Sequence, residues 1–138
     1  MKNIAISLVL AVLLAACSSG TSVSEIPPTD ISGVYSGDFE SSNGLNEGSL
    51  TMNIQDNGGV LSGNLILEFD MDDPSCIVNN VFDETTSART GFNVQINTEQ
   101  INFTLTASAD ARTLSGTYVP VGEGCSNASG AGTLTISR

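Results

Sequence analysis

Apolar and polar residues alternate along most of the chain, beginning near residue 31 and continuing to the C-terminus. Leu50, Met52 and Ile54, for example, are separated by threonine and asparagine. Successive side chains of a β-strand point to opposite faces, so a period of two with one apolar face indicates half-buried strands of an antiparallel sheet. No segment beyond residue 30 shows the period of about 3.6 residues that is typical of a helix.

The alternation and the turn residues between the apolar runs predict eight strands. They span residues 31–41, 47–56, 60–70, 77–83, 89–97, 100–108, 112–119 and 130–138. Short connections favour up-and-down order, and closure into a barrel removes the exposed edges of an open sheet. We therefore predict an all-β fold for residues 31–138, an antiparallel up-and-down β-barrel of about eight strands.

A short motif ending in Ser-Gly recurs near the start of strands. It occurs at Ile31-Ser-Gly33, Leu61-Ser-Gly63, Leu114-Ser-Gly116 and Ala128-Ser-Gly130. Glycine on an inward face lets a strand bend strongly and lets a neighbouring backbone approach closely, as the corners of small barrels require. Glycine and serine are common in any exported domain, but their recurrence at strand starts favours the barrel.

The N-terminal segment follows a different pattern. Lys2 precedes an apolar run from Ile4 to Ala16, which is shorter than the roughly 20 residues of a membrane-spanning helix. The run ends in Leu14-Ala-Ala-Cys17 and is followed by serine and glycine. This pattern resembles the lipobox of bacterial lipoproteins. The resemblance implies that residues 1–16 are a cleaved signal peptide and that Cys17 carries lipid at the first mature position.

The lipoprotein resemblance implies a location as well. One acyl chain anchors a protein only marginally, whereas the several chains of such lipoproteins anchor it stably. Ser18 after the cysteine resembles the residue with which Gram-negative bacteria sort lipoproteins to the outer membrane. Residues 17–30 then form the lipidated cysteine and a flexible tether, because residues 18–30 are small, polar and interrupted by proline. The expected location is the cell envelope, with the lipid anchor in the outer membrane.

The charge of the chain excludes some partners. It has 15 acidic and four basic residues and no histidine. Removal of Lys2 with the signal leaves three arginines and a formal charge of −12. Nucleic acids and anionic lipid surfaces are bound by lysine and arginine, so neither is an expected partner of the domain. A solvated, self-repelling surface is the simplest reason for the acidity.

Three cysteines are present in the chain. If Cys17 carries lipid, Cys76 and Cys125 remain in an oxidising compartment, which favours one disulfide between them. In the predicted barrel they lie in the loops after the third and seventh strands, at the same end. A metal site is the alternative, but two cysteines without histidine fall short of a four-ligand zinc site.

Catalytic candidates are few. The mature chain lacks histidine, lysine and an expected free thiol, which are the usual general bases and activated nucleophiles. A glycosidase would need paired carboxylates, and the candidates are Asp70, Asp72, Asp73, Asp83 and Glu84. A calcium loop of the EF-hand type starting at Asp70 fails, because Ser75 and Val81 stand where that loop needs glycine and glutamate. We expect no enzyme activity, no metal and no cofactor.

The domain has a family resemblance of its own. Gly33-Val-Tyr35-Ser-Gly37, Leu61-Ser-Gly63 and the terminal run from Gly130 to Ile136 resemble small bacterial lipoproteins with lipocalin-like or avidin-like barrels. Tyr35 stands where lipocalins place tryptophan. The chain has no tryptophan at all, which removes the aromatic box that avidins use for biotin. The resemblance therefore implies the architecture and no binding residues.

Inward aromatic side chains give the domain a candidate binding site. An eight-stranded barrel is just wide enough to be filled by side chains or to hold one small ligand. The candidate lining residues are Tyr35, Phe39, Phe69, Phe92, Phe103 and Tyr118. A filled core is the preferred interpretation of this set. We expect a non-catalytic binding or interaction module for a small apolar ligand or an envelope partner, and the alternative is a structural lipoprotein with a packed barrel.

Overall fold

The computed structural model describes residues 25–42, 44, 47–70, 76–121 and 130–138. They contain nine strands and no helix: β1 (Gly33–Ser41), β2 (Glu47–Asn57), β3 (Val60–Asp70), β4 (Cys76–Phe82), β5 (Ala88–Thr90), β6 (Asn93–Asn97), β7 (Ile101–Ala107), β8 (Thr113–Pro120) and β9 (Gly132–Ser137). Within these ranges no helix is long and apolar enough to cross a membrane.

Backbone pairing closes the strands into a ring. The antiparallel order runs β2-β1-β9-β8-β7-β6-β5-β3, and β3 pairs with β2 to complete the circle. β4 also pairs with β3, beside β5. Since β4 and β5 run in the same direction, they occupy one strand position between them, and the barrel has eight positions. The predicted closed, antiparallel, up-and-down barrel is confirmed.

A loop separates β4 from β5. On β3, Gly63 pairs with Phe82 of β4 and Val60 pairs with Ala88 of β5. The chain therefore advances six residues from β4 to β5 while β3 advances three. The extra residues bulge outward at 83–87. Asp83 stabilises this loop because its carboxylate accepts hydrogen bonds from the Thr85 amide (2.9 Å) and hydroxyl (2.6 Å).

The single strand predicted for residues 89–97 is wrong. β5 and β6 are instead two arms of a tight hairpin, in which Thr90 pairs with Asn93. Gly91 makes the reversal with a φ of +61°, a conformation that costs glycine little. The alternation of apolar and polar residues continues through the turn, so the sequence pattern does not show that the chain reverses there.

The interior of the barrel is apolar. Inward positions such as Leu50, Leu65, Val94 and Ile136 have no solvent exposure, while their neighbours along each strand face outward. Burying one such side chain contributes about 1.5–3 kcal/mol before chain entropy is counted. The burial pattern therefore follows the period of two in the sequence.

Two of the recurring glycines allow neighbouring backbones to pack closely. A Cβ atom on Gly63 would overlap the carbonyl oxygen of Asn53, and one on Gly116 would overlap that of Thr104. The predicted close approach is confirmed at these two positions. The copy of the motif that begins at Ala128 lies partly outside the described residues.

The barrel has two ends, which we call the base and the rim. The base holds the turns at residues 58–59, 91–92 and 108–112, together with residues 27–32 that lead into β1. The rim is where β1, β3 and β8 end and where β2, β4 and β9 begin.

The cysteine predictions concern the rim. Cys76 is the first residue of β4, and the chain that contains Cys125 connects β8 to β9 at the same end. Cys17, Cys125 and the side chain of Cys76 lie outside the described residues. The disulfide and the lipidation therefore stay predictions.

Candidate functional site

A buried ion pair lies at the base, between Asp56 at the end of β2 and Arg89 in β5. The Arg89 Nε atom is 2.7 Å from Asp56 Oδ2, and the two side chains are 8 % and 0 % exposed. Asp56 also accepts hydrogen bonds from the amides of Ile31 (3.2 Å) and Gly59 (2.7 Å). A buried carboxylate is tolerated when its oxygens are satisfied in this way. We call Asp56, Arg89 and the groups they bind the base clasp.

The base clasp holds the segment that precedes β1. The Arg89 guanidinium donates to the carbonyl oxygens of Pro28 (2.9 Å) and Thr29 (3.0 Å). The Ser32 hydroxyl accepts the Asp56 amide at 2.9 Å. Residues 28–32 are thus bound to the barrel, although the sequence places residues up to 30 in the tether.

Tyr35 lies inside the base and ties it to a second turn. Its hydroxyl is 2.7 Å from the carbonyl oxygen of Ala111 and 3.0 Å from that of Ile31, so its proton always has an acceptor. Burial raises the pKa of the Tyr35 phenol above its ordinary value of 10.0. The Arg138 guanidinium lies 5.5 Å from the centre of the Tyr35 ring and donates to the Ser32 carbonyl. The base is therefore closed by polar contacts around one aromatic ring.

A second aromatic group fills the rim end of the interior. The Phe39 ring meets those of Phe69 and Tyr118 edge to face, at centroid distances of 4.9 and 5.4 Å. All three side chains are buried. Edge-to-face pairs add about 0.5–1.5 kcal/mol each beyond the area they bury. We call these three residues the rim aromatic cluster.

The Tyr118 hydroxyl is unusual within this cluster. The side chain is 1 % exposed, and its oxygen has no hydrogen-bond partner among the described residues. It packs over Gly132, where a Cβ atom would come within 2.6 Å of it. Burial raises the pKa of the Tyr118 phenol above 10.0. A buried donor without an acceptor destabilises the fold by about 1–3 kcal/mol.

The six predicted lining residues do not share one site. Phe39, Phe69 and Tyr118 form the rim aromatic cluster, and Phe103 lies opposite Tyr118 in the β7–β8 register. Tyr35 is at the base, and Phe92 is half-buried in the β5–β6 turn. Five of the six are thus core residues, and Phe92 belongs to a turn.

Of the acidic candidates, Asp70, Asp83 and Glu84 are described, and all three are exposed on the outside of the barrel. Two further acidic residues lie beside Asp70. Glu40, Glu47 and Asp70 lie directly opposite one another across β1, β2 and β3. They border an outer groove of about 580 Å³. Asp83 lies in the β4–β5 loop, where hydrogen bonds from Thr85 lower its pKa below 3.8.

No cleft brings these carboxylates together with a base or nucleophile in the part of the chain that the structure describes. Asp72 and Asp73 lie outside the described residues, and Glu84 is exposed in the same loop as Asp83. Among the described side chains, no group of three or more acidic or sulfur ligands is placed to share a metal ion.

The barrel wall is incomplete between β4 and the β6–β7 turn. We call this gap, bounded by β4 and residues 97–100, the seam. Among the described residues, the Asn80 amide reaches across it and donates to Thr98 Oγ1 (3.3 Å) and Gln100 Oε1 (3.2 Å). Hydrogen bonds between Thr86 and Asn97 lie at the end of the seam where β4 ends. An outer cleft of about 390 Å³ lies along the seam and includes Val81, Asp83 and Glu99 in its lining.

Scans against protein-family models, curated proteins and solved structures find no match to this chain. Its eight-position barrel is compatible with a lipocalin-like fold, which agrees with the architecture that the sequence resemblance implies. Sequence reasoning missed the base clasp and the seam. Arg89 was the available signal for the clasp, since a lone cation between acidic turns often has a buried partner.

Proposed function

We propose that the mature chain is a lipid-anchored lipoprotein of the cell envelope, and that its barrel is a non-catalytic interaction module for an envelope partner. The packed interior carries this proposal. Core side chains of every long strand have almost no exposure, and Phe39 packs against two other predicted lining residues, Phe69 and Tyr118. A filled barrel directs recognition to its outer surface.

The base clasp supports the anchored arrangement. Residues 28–32 are fixed to the base, so few residues separate Cys17 from the barrel. From residue 17 to residue 28 an extended chain spans at most about 40 Å. An anchor on Cys17 would therefore hold the base towards the membrane and the rim towards the aqueous envelope.

A metabolic label tests the anchor. Cells that express the full chain receive an alkyne-bearing fatty acid, and the purified protein is examined by mass spectrometry. We expect label on Cys17, loss of residues 1–16, and neither in Cys17→Ser. Normal cleavage with unlabelled Cys17 would reject the lipoprotein assignment.

A small apolar ligand is the second candidate, and the Tyr118 hydroxyl favours it. An acceptor on such a ligand would satisfy this buried donor within the rim aromatic cluster. Native mass spectrometry of the full chain, purified in detergent from its own host, separates the two candidates. The interaction module predicts the mass of the lipidated chain alone, whereas a carrier predicts an additional stoichiometric mass.

A further inference from the structure

β4 has one backbone edge that no described residue uses. Its other edge pairs with β3 along its length, from Cys76 opposite Phe69 to Phe82 opposite Gly63. On the free side, the hydrogen bonds of β4 to described residues are those from the Asn80 side chain to Thr98 and Gln100 in the β6–β7 turn. An unpaired strand edge presents a row of N–H and C=O groups that can accept another strand.

Proteins usually protect such an edge with charge or proline, but β4 has neither. Its sequence is Cys-Ile-Val-Asn-Asn-Val-Phe, an uncharged run in a chain with 15 acidic residues. Its outward side chains include Ile77 and Val81, which are 60 % and 75 % exposed. Ile66 of β3 lies next to this strand and is also exposed. The outer face of the edge therefore exposes apolar side chains on both sides of Asn79, which is exposed as well.

Charge selects the kind of occupant. Asp83 and Glu99 line the cleft beside the edge, and both are exposed. A second copy of the chain would bring its own large negative charge to the same place. A segment with lysine or arginine would meet favourable charges there, and it would associate faster at low salt.

We propose that the seam accepts an extended, basic segment of a partner protein, which adds to β4 as a further strand. Its backbone pairs with the free edge of β4, its apolar side chains cover Ile77 and Val81, and its cationic side chains face Asp83 and Glu99. The proposal rests on the interaction role of the barrel and is independent of the lipid anchor.

Amide hydrogen exchange of the full chain, purified in detergent, tests this site. The probe is a synthetic peptide in which valine and threonine alternate and lysine stands near both ends. Two control peptides carry glutamate in place of lysine or proline at the centre. At saturating lysine peptide, we expect exchange in residues 76–82 to slow by about tenfold or more, with no change in β1. The control peptides should give no protection.

Variants of the chain supply the second control. Val81→Lys and Ile77→Lys place a cation on the proposed contact and should abolish the protection. Val34→Lys makes the same change at a valine that is 58 % exposed on β1, which is paired on both sides, and should retain it. Far-ultraviolet circular dichroism checks that each variant is folded.

Each outcome bears on the proposal. Equal protection by the glutamate peptide would overturn the charge argument, and protection that survives Val81→Lys and Ile77→Lys would overturn the site. Dimerisation in sedimentation velocity that Val81→Lys abolishes would make a second copy the occupant and overturn the choice of partner. Protection of another strand, with none in β4, would reject the seam and keep the interaction role.

Discussion

The two buried tyrosines allow the cost of an unsatisfied hydroxyl to be measured within one barrel. Tyr118 is 1 % exposed and Tyr35 is not exposed at all. The Tyr35 hydroxyl has carbonyl acceptors at 2.7 and 3.0 Å, whereas that of Tyr118 has none among the described residues. Tyrosine-to-phenylalanine substitutions remove the same atom from both sites and leave both rings in place.

The two substitutions should change stability in opposite directions. Tyr35→Phe removes a hydrogen bond and leaves the Ala111 carbonyl without its donor, so we expect a loss of about 1–3 kcal/mol. Tyr118→Phe removes a group that folding strips of water and does not satisfy, so we expect a gain of about 1 kcal/mol. For a domain of about 100 residues, each kcal/mol shifts Tm by about 4–8 °C.

Urea unfolding followed by far-ultraviolet circular dichroism measures both variants, since the backbone amides dominate this signal. The unfolding midpoint should fall for Tyr35→Phe and rise for Tyr118→Phe, with unchanged slopes. A fall of equal size in both variants would refute the reasoning. It would mean that the Tyr118 hydroxyl is satisfied in solution, as a bound small molecule with an acceptor would do.

Three further predictions, one of them with a control substitution, test the electrostatics. Asp56→Ala should destabilise the chain by about 3–5 kcal/mol in urea unfolding, because it leaves the Arg89 cation buried without its partner. Asp110→Ala loses a 4.0 Å exposed pair with Arg112 and two exposed hydrogen bonds within its turn, so it should cost clearly less, and equal losses would contradict the clasp. Glu47→Gln relieves like charges on both sides, so it should stabilise by about 0.2–1 kcal/mol, and the gain should shrink in high salt. A gain that does not change with salt would exclude charge as its cause. Asp83→Asn should destabilise at neutral pH. Hydrogen bonds lower the folded-state pKa of Asp83, so its contribution is present above the unfolded-state value of 3.8 and is lost as the pH falls through the folded-state value. Thermal melts across acidic pH should therefore show the difference between variant and wild type closing below about pH 4, and a constant difference would contradict the assignment.

The strands were predictable because their period is local. The alternation of Leu50, Met52 and Ile54 with polar residues shows which face of β2 points inward, and it does so without knowledge of the neighbouring strands. The hairpin at Gly91 was missed since alternation is the same on both sides of a tight turn, and the glycine was the only sign of the reversal. For the longer strands, the predicted first and last residues lie within two residues of the observed ones.

The polar sites could not be predicted because their partners are distant in the chain. Asp56 and Arg89 are 33 residues apart, and they meet because β2 and β5 pair with the two edges of β3 near its start. The aromatic residues had the opposite difficulty. Phe39, Phe69 and Tyr118 were identified, but sequence alone does not tell whether inward rings leave a space or fill it.

Arg89 has a mechanical consequence. Its backbone amide donates to the carbonyl of Gly59, directly before β3, at 2.6 Å, beside the pairing of β5 with β3 that completes the ring. Its side chain holds the carbonyls of Pro28 and Thr29. A pulling force on the N-terminal segment would therefore act on Arg89 as well as on Asp56 of β2. Tension along the tether and closure of the wall between β5 and β3 share this one arginine.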